Sequence, residues 1–254
     1  MTAGADKSIL TLANASAAAE GSVPFSASGH GKLQSLFLSG DAGRLEALLK
    51  DGREDAPYCA LVCHPHPMGG GTMHNKVVYH AAKVLERLGW PVLRFNFRGT
   101  GLSEGAHDGH AEMRDVHVAL DWLKSVYGKP VVAAGFSFGA LMGLQAASQR
   151  DDVAAFAALG LPIAAGERRY EHPYLAECRF PKLFLSGDHD EYAPLELLHA
   201  VVDTAPELKQ FVTVAGADHF FTGHLAAMQE ALREWLEAVF VQVEEPARTA
   251  QSYL

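Results

Sequence analysis

Gly135-Phe136-Ser137-Phe138-Gly139 sets a serine between two glycines, where the apolar run Pro130–Ala134 gives way to the small-residue stretch Ala140–Gln149. The first run predicts a buried strand and the second a helix. A serine on so tight a strand-to-helix turn must adopt a left-handed backbone, and its neighbours must lack bulk where the two elements nearly touch. The turn also points the helix N-terminus at the hydroxyl, so backbone N–H groups face the place where negative charge develops during acyl transfer. Ser137 is therefore the candidate nucleophile. The same five-residue pattern also arises by chance, so partners decide its meaning.

A serine hydroxyl is too weak an acid to attack unaided at neutral pH. It needs an imidazole to take its proton and a carboxylate to fix that imidazole's tautomer. In a sheet of parallel strands ligands lie beyond the carboxyl ends, so residues that follow strands carry the most weight. Three polar clusters do so: His64-Pro65-His66-Pro67, Gly187-Asp188-His189-Asp190 and Gly216-Ala217-Asp218-His219. His219 is the candidate base, placed after a glycine turn and ahead of the last predicted helix, inside which His224 is expected to fall. Its plainer role would be a surface histidine capping that helix. For the acid Asp188, Asp190 and Glu191 compete. Asp190 is preferred because it stands far enough past the strand to bend back towards the base. Asp188 is the reserve, closer to the glycine turn and suited to bracing its own loop.

The oxyanion formed in such a reaction is held by the N–H after the nucleophile, here Phe138, and by one from the loop after the first parallel strand. That loop is His64 to Gly71, in which Pro65 and Pro67 have no N–H to give. His66 and Met68 remain, and His66, locked between two prolines, is favoured.

The elements needed to position these residues follow from apolar periodicity. Leu33–Leu38 and Arg44–Leu49 predict an opening antiparallel pair. Thereafter strands at Ala60–Cys63, Pro91–Phe97, Val131–Ala134, Val153–Leu159, Lys182–Leu185 and Phe211–Val214 alternate with helices at 74–88, 111–127, 140–149, 194–202 and 220–239. Such alternation predicts an α/β protein with a mostly parallel, doubly wound sheet covered on both faces. The interval from Leu159 to Lys182 leaves room only for a small cap around Tyr170–Tyr174.

With 254 residues, 48% of them hydrophobic, one large domain over residues 31–242 is expected. Residues 1–30, rich in Ala, Ser and Gly, read as a flexible tail rather than an export signal, and residues 243–254 as a second tail. A net charge of −9 without a basic run argues against nucleic acid or an anionic membrane as partner, and no apolar run has the length of a membrane span. The expected partner is a small-molecule acyl substrate, with no cofactor or metal required. Three cysteines, Cys59, Cys63 and Cys178, cannot all pair; two share one strand at same-face spacing, which suits packing and a reducing, cytoplasmic setting.

The segments CHPHPMGGGTMHNKVV, RFNFRGTGLSEG, GFSFGA and SGDHDEYAP, taken together and in this order, resemble the α/β-hydrolase superfamily. Within it the chain is similar to small, lidless, esterase-like bacterial serine hydrolases, over about Leu33 to Val239. The resemblance implies an α/β-hydrolase fold with an antiparallel N-terminal strand pair and minimal or no lid. It also implies Ser137, Asp190 and His219 as the triad, Gly187–Pro194 matching the acid loop of that group.

Three other readings compete. Arg98 to Gly105 could pass for a phosphate-cradling loop, but it lacks the Lys-Ser/Thr ending, and a structural turn with Arg98 braced by nearby carbonyls is the better expectation. His64 and His66, with His74 nearby, could serve a metal-dependent hydrolase, although no H-E-x-x-H is present. A non-catalytic binding protein on the same fold would ordinarily lack one triad member.

Overall fold

The computed structural model describes residues 9–11 and 31–240. The expected tails, 1–30 and 243–254, lie outside the described residues except for Ile9–Thr11. That segment forms β1, in parallel register with the strand Lys209–Val214, so the stretch read as tail contributes an edge strand.

The opening pair is β2 (Leu33–Gly40) and β3 (Gly43–Lys50), antiparallel and joined by a two-residue turn. β4 (Cys59–Cys63), β5 (Val92–Phe95), β6 (Val131–Phe136) and β7 (Val153–Leu159) follow. A two-residue hairpin, β8 (Ala164–Ala165) with β9 (Arg168–Arg169), and a 3-10 turn at Pro173–Glu177 fill the interval before β10 (Lys182–Gly187) and β11 (Lys209–Val214). The main sheet runs β1-β11-β10-β7-β6-β4-β5-β3-β2, and among the described residues β3 alone runs against the rest. The architecture is the mostly parallel α/β sheet with an antiparallel N-terminal pair that the alternation predicts.

Among the described residues five helices cover it: α1 (Lys76–Arg87), α2 (Glu112–Tyr127), α3 (Phe138–Ala147), α4 (Leu195–Asp203) and α5 (Leu225–Phe240). In β4 all five residues are buried, and their alternation divides them between two cores. Cys59, Leu61 and Cys63 face α2 and α3 with Leu120, Leu123 and Leu144, while Ala60 and Val62 face α1 and α5 with Val78, Leu85 and Leu232. Each leucine so buried contributes roughly 1.5–3 kcal/mol. Cys59, Cys63 and Cys178 are all buried and unpaired.

Two helices begin later than periodicity suggests. The Asn75 side chain accepts from the Val77 N–H at 2.9 Å, so α1 starts at Lys76 instead of at residue 74. Asp218 Oδ1 accepts from the N–H groups of Phe220 and Thr222, folding 218–224 into turns with positive φ at Phe221 and Gly223. α5 therefore starts at Leu225, and His224, expected within it, stands just outside.

Arg98 is braced, but by carboxylates in place of the expected carbonyls. Its backbone N–H and its Nε and Nη2 reach Asp115 at 2.6–3.0 Å, and Nη2 also reaches Asp41 at 2.7 Å. Asp115 is fully buried on α2, so the loop after β5 is pinned to that helix. Two buried imidazoles do similar structural work. His64 donates from Nδ1 to the Pro65 carbonyl and accepts at Nε2 from the Phe97 N–H, tying the loop after β4 to the segment that follows β5. His172 bridges Pro162 and Tyr174 within the cap. Burial holds both rings at a pKa of about 4, well below the ordinary 6.5.

Removing Asp115 leaves the buried Arg98 with only the half-exposed Asp41 as partner, so Asp115→Ala should lower unfolding free energy by up to about 3–5 kcal/mol in a urea titration. A loss under about 1 kcal/mol would mean that the pair does not brace the loop. The buried imidazoles set a pH dependence. Because their folded pKa values lie below the unfolded value, protons bind preferentially to the unfolded chain, and stability falls as pH drops from about 6.5 to about 4. Melting temperature should decline through that window and hold steady from pH 7 to 8; a flat profile down to pH 4 would contradict it.

Candidate active site

Ser137 sits at the end of β6 with φ 55° and ψ −120°, and α3 begins at the next residue. A side chain at Gly135 would overlap the Gly139 carbonyl, and one at Gly139 would strike the carbonyls of Cys63 and His64. Both flanking glycines are thus demanded by contact, and they let α3 start directly against β4 and β6. The Ser137 N–H donates to Leu159 of β7 at 2.9 Å, fixing the turn from the other side.

The turn brings Ser137 Oγ within 2.9 Å of His219 Nε2. On the far side of the ring, His219 Nδ1 lies 2.9 Å from both carboxylate oxygens of Asp190. His219 and Asp190 are each only 4% exposed, so little solvent screens the contact between them. Asp190 is itself held by three donors: the Tyr192 N–H at 2.9 Å and the Ala193 N–H at 3.1 Å on Oδ1, and the Ser186 hydroxyl at 3.1 Å on Oδ2. Asp188 turns elsewhere, accepting from the Gly216 N–H at 2.6 Å and linking the acid loop to the loop that carries His219. Glu191 is exposed.

Around the serine two backbone donors stand free. The Phe138 N–H, first in α3, donates to nothing among the described residues, and neither does the His66 N–H. The rest of the His66 loop is committed. Met68 N–H donates to His66 Nδ1 at 3.2 Å, Gly69 and Gly71 donate to the His66 carbonyl, and Gly70 donates to Pro67. Of the two donors open from sequence, His66 and Met68, only His66 is unspent. The rings of His66 and Phe138 lie 4.8 Å apart, which places the loop beside the turn that carries Ser137.

The metal reading fares differently. Both ring nitrogens of His64 are engaged within the protein, and His74 is exposed. Among the described residues no group of three or more His, Cys, Asp or Glu side chains is placed to hold a metal ion.

Several neighbours escaped the sequence reading. Ser186 and Tyr192 flank the acid, and Tyr192 also lays its ring on His219 at 4.5 Å. His107 contacts the buried carboxylate of Glu112 at 2.7 Å and packs on His66 at 4.6 Å. Ser186 and Tyr192 were within reach, being four residues before and two after the acid. No spacing links His107 to His66, because only the fold brings the loops after β4 and β5 together.

Comparison with known proteins bears on the fold that carries this site. An uncharacterised protein of Rickettsia prowazekii is 34% identical over 209 residues, covering 79% of this chain and 87% of its own. The crystal structure of a lidless α/β serine hydrolase from Xanthomonas campestris is 30% identical, with TM-score 0.71 over 82% of this chain and 94% of that one. The structure of an α/β serine hydrolase homologue from Coxiella burnetii is 34% identical, with TM-score 0.72 over 79% and 96%. The sequence profile of the alpha/beta hydrolase domain matches residues 59–244, and the chain belongs to that family.

Proposed function

We propose that the chain is a serine hydrolase of carboxylic esters or related small acyl compounds, with Ser137 as nucleophile, His219 as general base and Asp190 as the acid that orients it. The observation that carries this reading is the continuous contact from Ser137 Oγ through the His219 ring to a buried, triply hydrogen-bonded Asp190.

In this mechanism His219 Nε2 takes the Ser137 proton as Oγ attacks the acyl carbon. The proton on Nδ1 stays directed at Asp190, which holds the tautomer and stabilises the imidazolium. The negative oxygen of the tetrahedral intermediate is received by the N–H groups of Phe138 and His66, each worth about 3 kcal/mol. His219 then protonates the leaving group, an acyl-enzyme remains on Ser137, and water activated by the same ring releases it. No step calls for a cofactor or a metal. The cap of β8, β9 and the 3-10 turn is short, which favours small acyl substrates with ready access. Three buried, unpaired cysteines favour a reducing, cytoplasmic setting.

Ser137→Ala should abolish hydrolysis of short 4-nitrophenyl esters while leaving the circular dichroism spectrum unchanged; retention of more than a trace would remove the serine from its role. Asp190→Asn should lower kcat by roughly 10⁴-fold through loss of the tautomer. Asp188→Asn should cost far less, and the reverse order would exchange the two carboxylates.

A further inference from the structure

Among the described residues the ring of His219 has two hydrogen-bond partners, Asp190 at Nδ1 and Ser137 at Nε2. The rest of its surroundings is aromatic. Between ring centroids Tyr192 lies 4.5 Å away, tilted by 47°, Phe136 lies 5.1 Å away, tilted by 36°, and Phe220 lies 5.2 Å away at 84°. Phe136 and Phe220 also meet each other, at 5.9 Å. Gly160 closes on a further edge of the ring, where a side chain would come 3.2 Å from Cε1 and Nδ1.

The three aromatic rings come from separate segments. Phe136 ends β6, Tyr192 stands two residues after Asp190, and Phe220 follows His219 itself. The backbone of Tyr192 already has its own work: its N–H donates to Asp190, and its carbonyl accepts from the N–H groups of Ile163 and Ala164 at 2.8 and 2.9 Å, which ties the acid loop to the cap. Its ring takes no part in those bonds, so the ring can be exchanged while they stay. Phe220 is 50% exposed and carries little of the core.

An imidazolium that forms in so enclosed a place gives up its hydration, and Asp190 returns only one countercharge. Aliphatic walls would leave the remainder of the cation without a partner, whereas an aromatic ring offers the negative face of its quadrupole to a cation within about 6 Å of its centroid. All three rings lie inside that distance. We infer that Tyr192, Phe136 and Phe220 form an aromatic enclosure that stabilises the imidazolium of His219 as it appears during acyl transfer, with Tyr192 and Phe220 as positioning residues that act through His219. This rests on His219 being the base, as proposed above, and adds how its charge is accommodated. The charged groups beside the ring are Asp190 and Asp218, whose carboxylate holds the N–H groups of Phe220 and Thr222. Exchanging the ring of Tyr192 removes neither.

Stabilisation of a charge that exists only in the transition state has a signature in pH. Where His219 is neutral in the free enzyme, the enclosure favours the transition state alone; where the ring is already protonated, it favours both states alike and its effect on kcat/KM cancels. The test is the pH profile of kcat/KM for 4-nitrophenyl acetate, over the range in which circular dichroism shows the protein folded, with the Ser137→Ala protein as blank. Tyr192→Leu, which keeps an apolar wall but removes the quadrupole, should lower the plateau by about 10-fold and move the acidic limb to lower pH by about one unit, so that variant and parent converge at low pH. Tyr192→Phe should keep most of the plateau and the position of the limb. Phe220→Leu, at a half-exposed position, should converge with the parent in the same way. A loss equal at every pH, a Tyr192→Leu protein as active as the parent, or a Tyr192→Phe protein that loses as much as Tyr192→Leu would overturn the enclosure while leaving the serine mechanism standing. Absence of any Ser137-dependent turnover in the parent protein would instead overturn the mechanism, and this inference with it.

Discussion

The backbone of Ser137, at φ 55° and ψ −120°, persists only because the structure on either side leaves it no alternative. Such a conformation costs on the order of 1–3 kcal/mol and has to be held in place from outside. Here β6 ends, α3 begins one residue later, and the carbonyls of Gly139, Cys63 and His64 lie where side chains at the flanking glycines would be. The buried strand β4 sets that spacing. Its odd-numbered residues carry α2 and α3 and its even-numbered residues carry α1 and α5, so the two cores clamp the turn between them. Relaxing the turn would require α3 to leave the sheet.

From that constraint the remaining geometry follows at the carboxyl edge. β10 ends in the loop that carries Asp190, and β11 ends in the turn, held by Asp218, that carries His219. Asp188 ties those two loops together through Gly216, which explains how two acidic residues on either side of His189 come to do different work: one joins the loops, and the other is buried against the imidazole. Pro65, Pro67 and buried His64 stiffen the third loop, so that its free N–H points into a fixed space.

Much of this was legible in the chain. The parallel strands are short apolar runs and the residues that meet at the site stand just past their ends, which is where a parallel sheet collects its functional groups. What escaped notice depends on partners distant in sequence or on local polar turns that compete with helix periodicity. β1 leaves no local signal because Ile9–Thr11 lies in an Ala- and Ser-rich stretch and gains its partner only when β11 is in place. α5 starts later than its apolar periodicity predicts because Asp218 draws the next N–H groups into turns. The partner of Arg98 is hidden in the sequence because Asp115, 17 residues on, comes within reach only once α2 packs against the sheet. The contact of His107 with His66 is likewise a product of tertiary structure alone.

The central claim is that Ser137 is an activated nucleophile, and covalent capture tests it most directly. The folded protein, treated with a fluorophosphonate and mapped by mass spectrometry after digestion, should carry a single phosphonyl adduct on the peptide containing Gly135–Gly139, localised to Ser137. A folded protein that remains unlabelled, or labels elsewhere, would contradict the account.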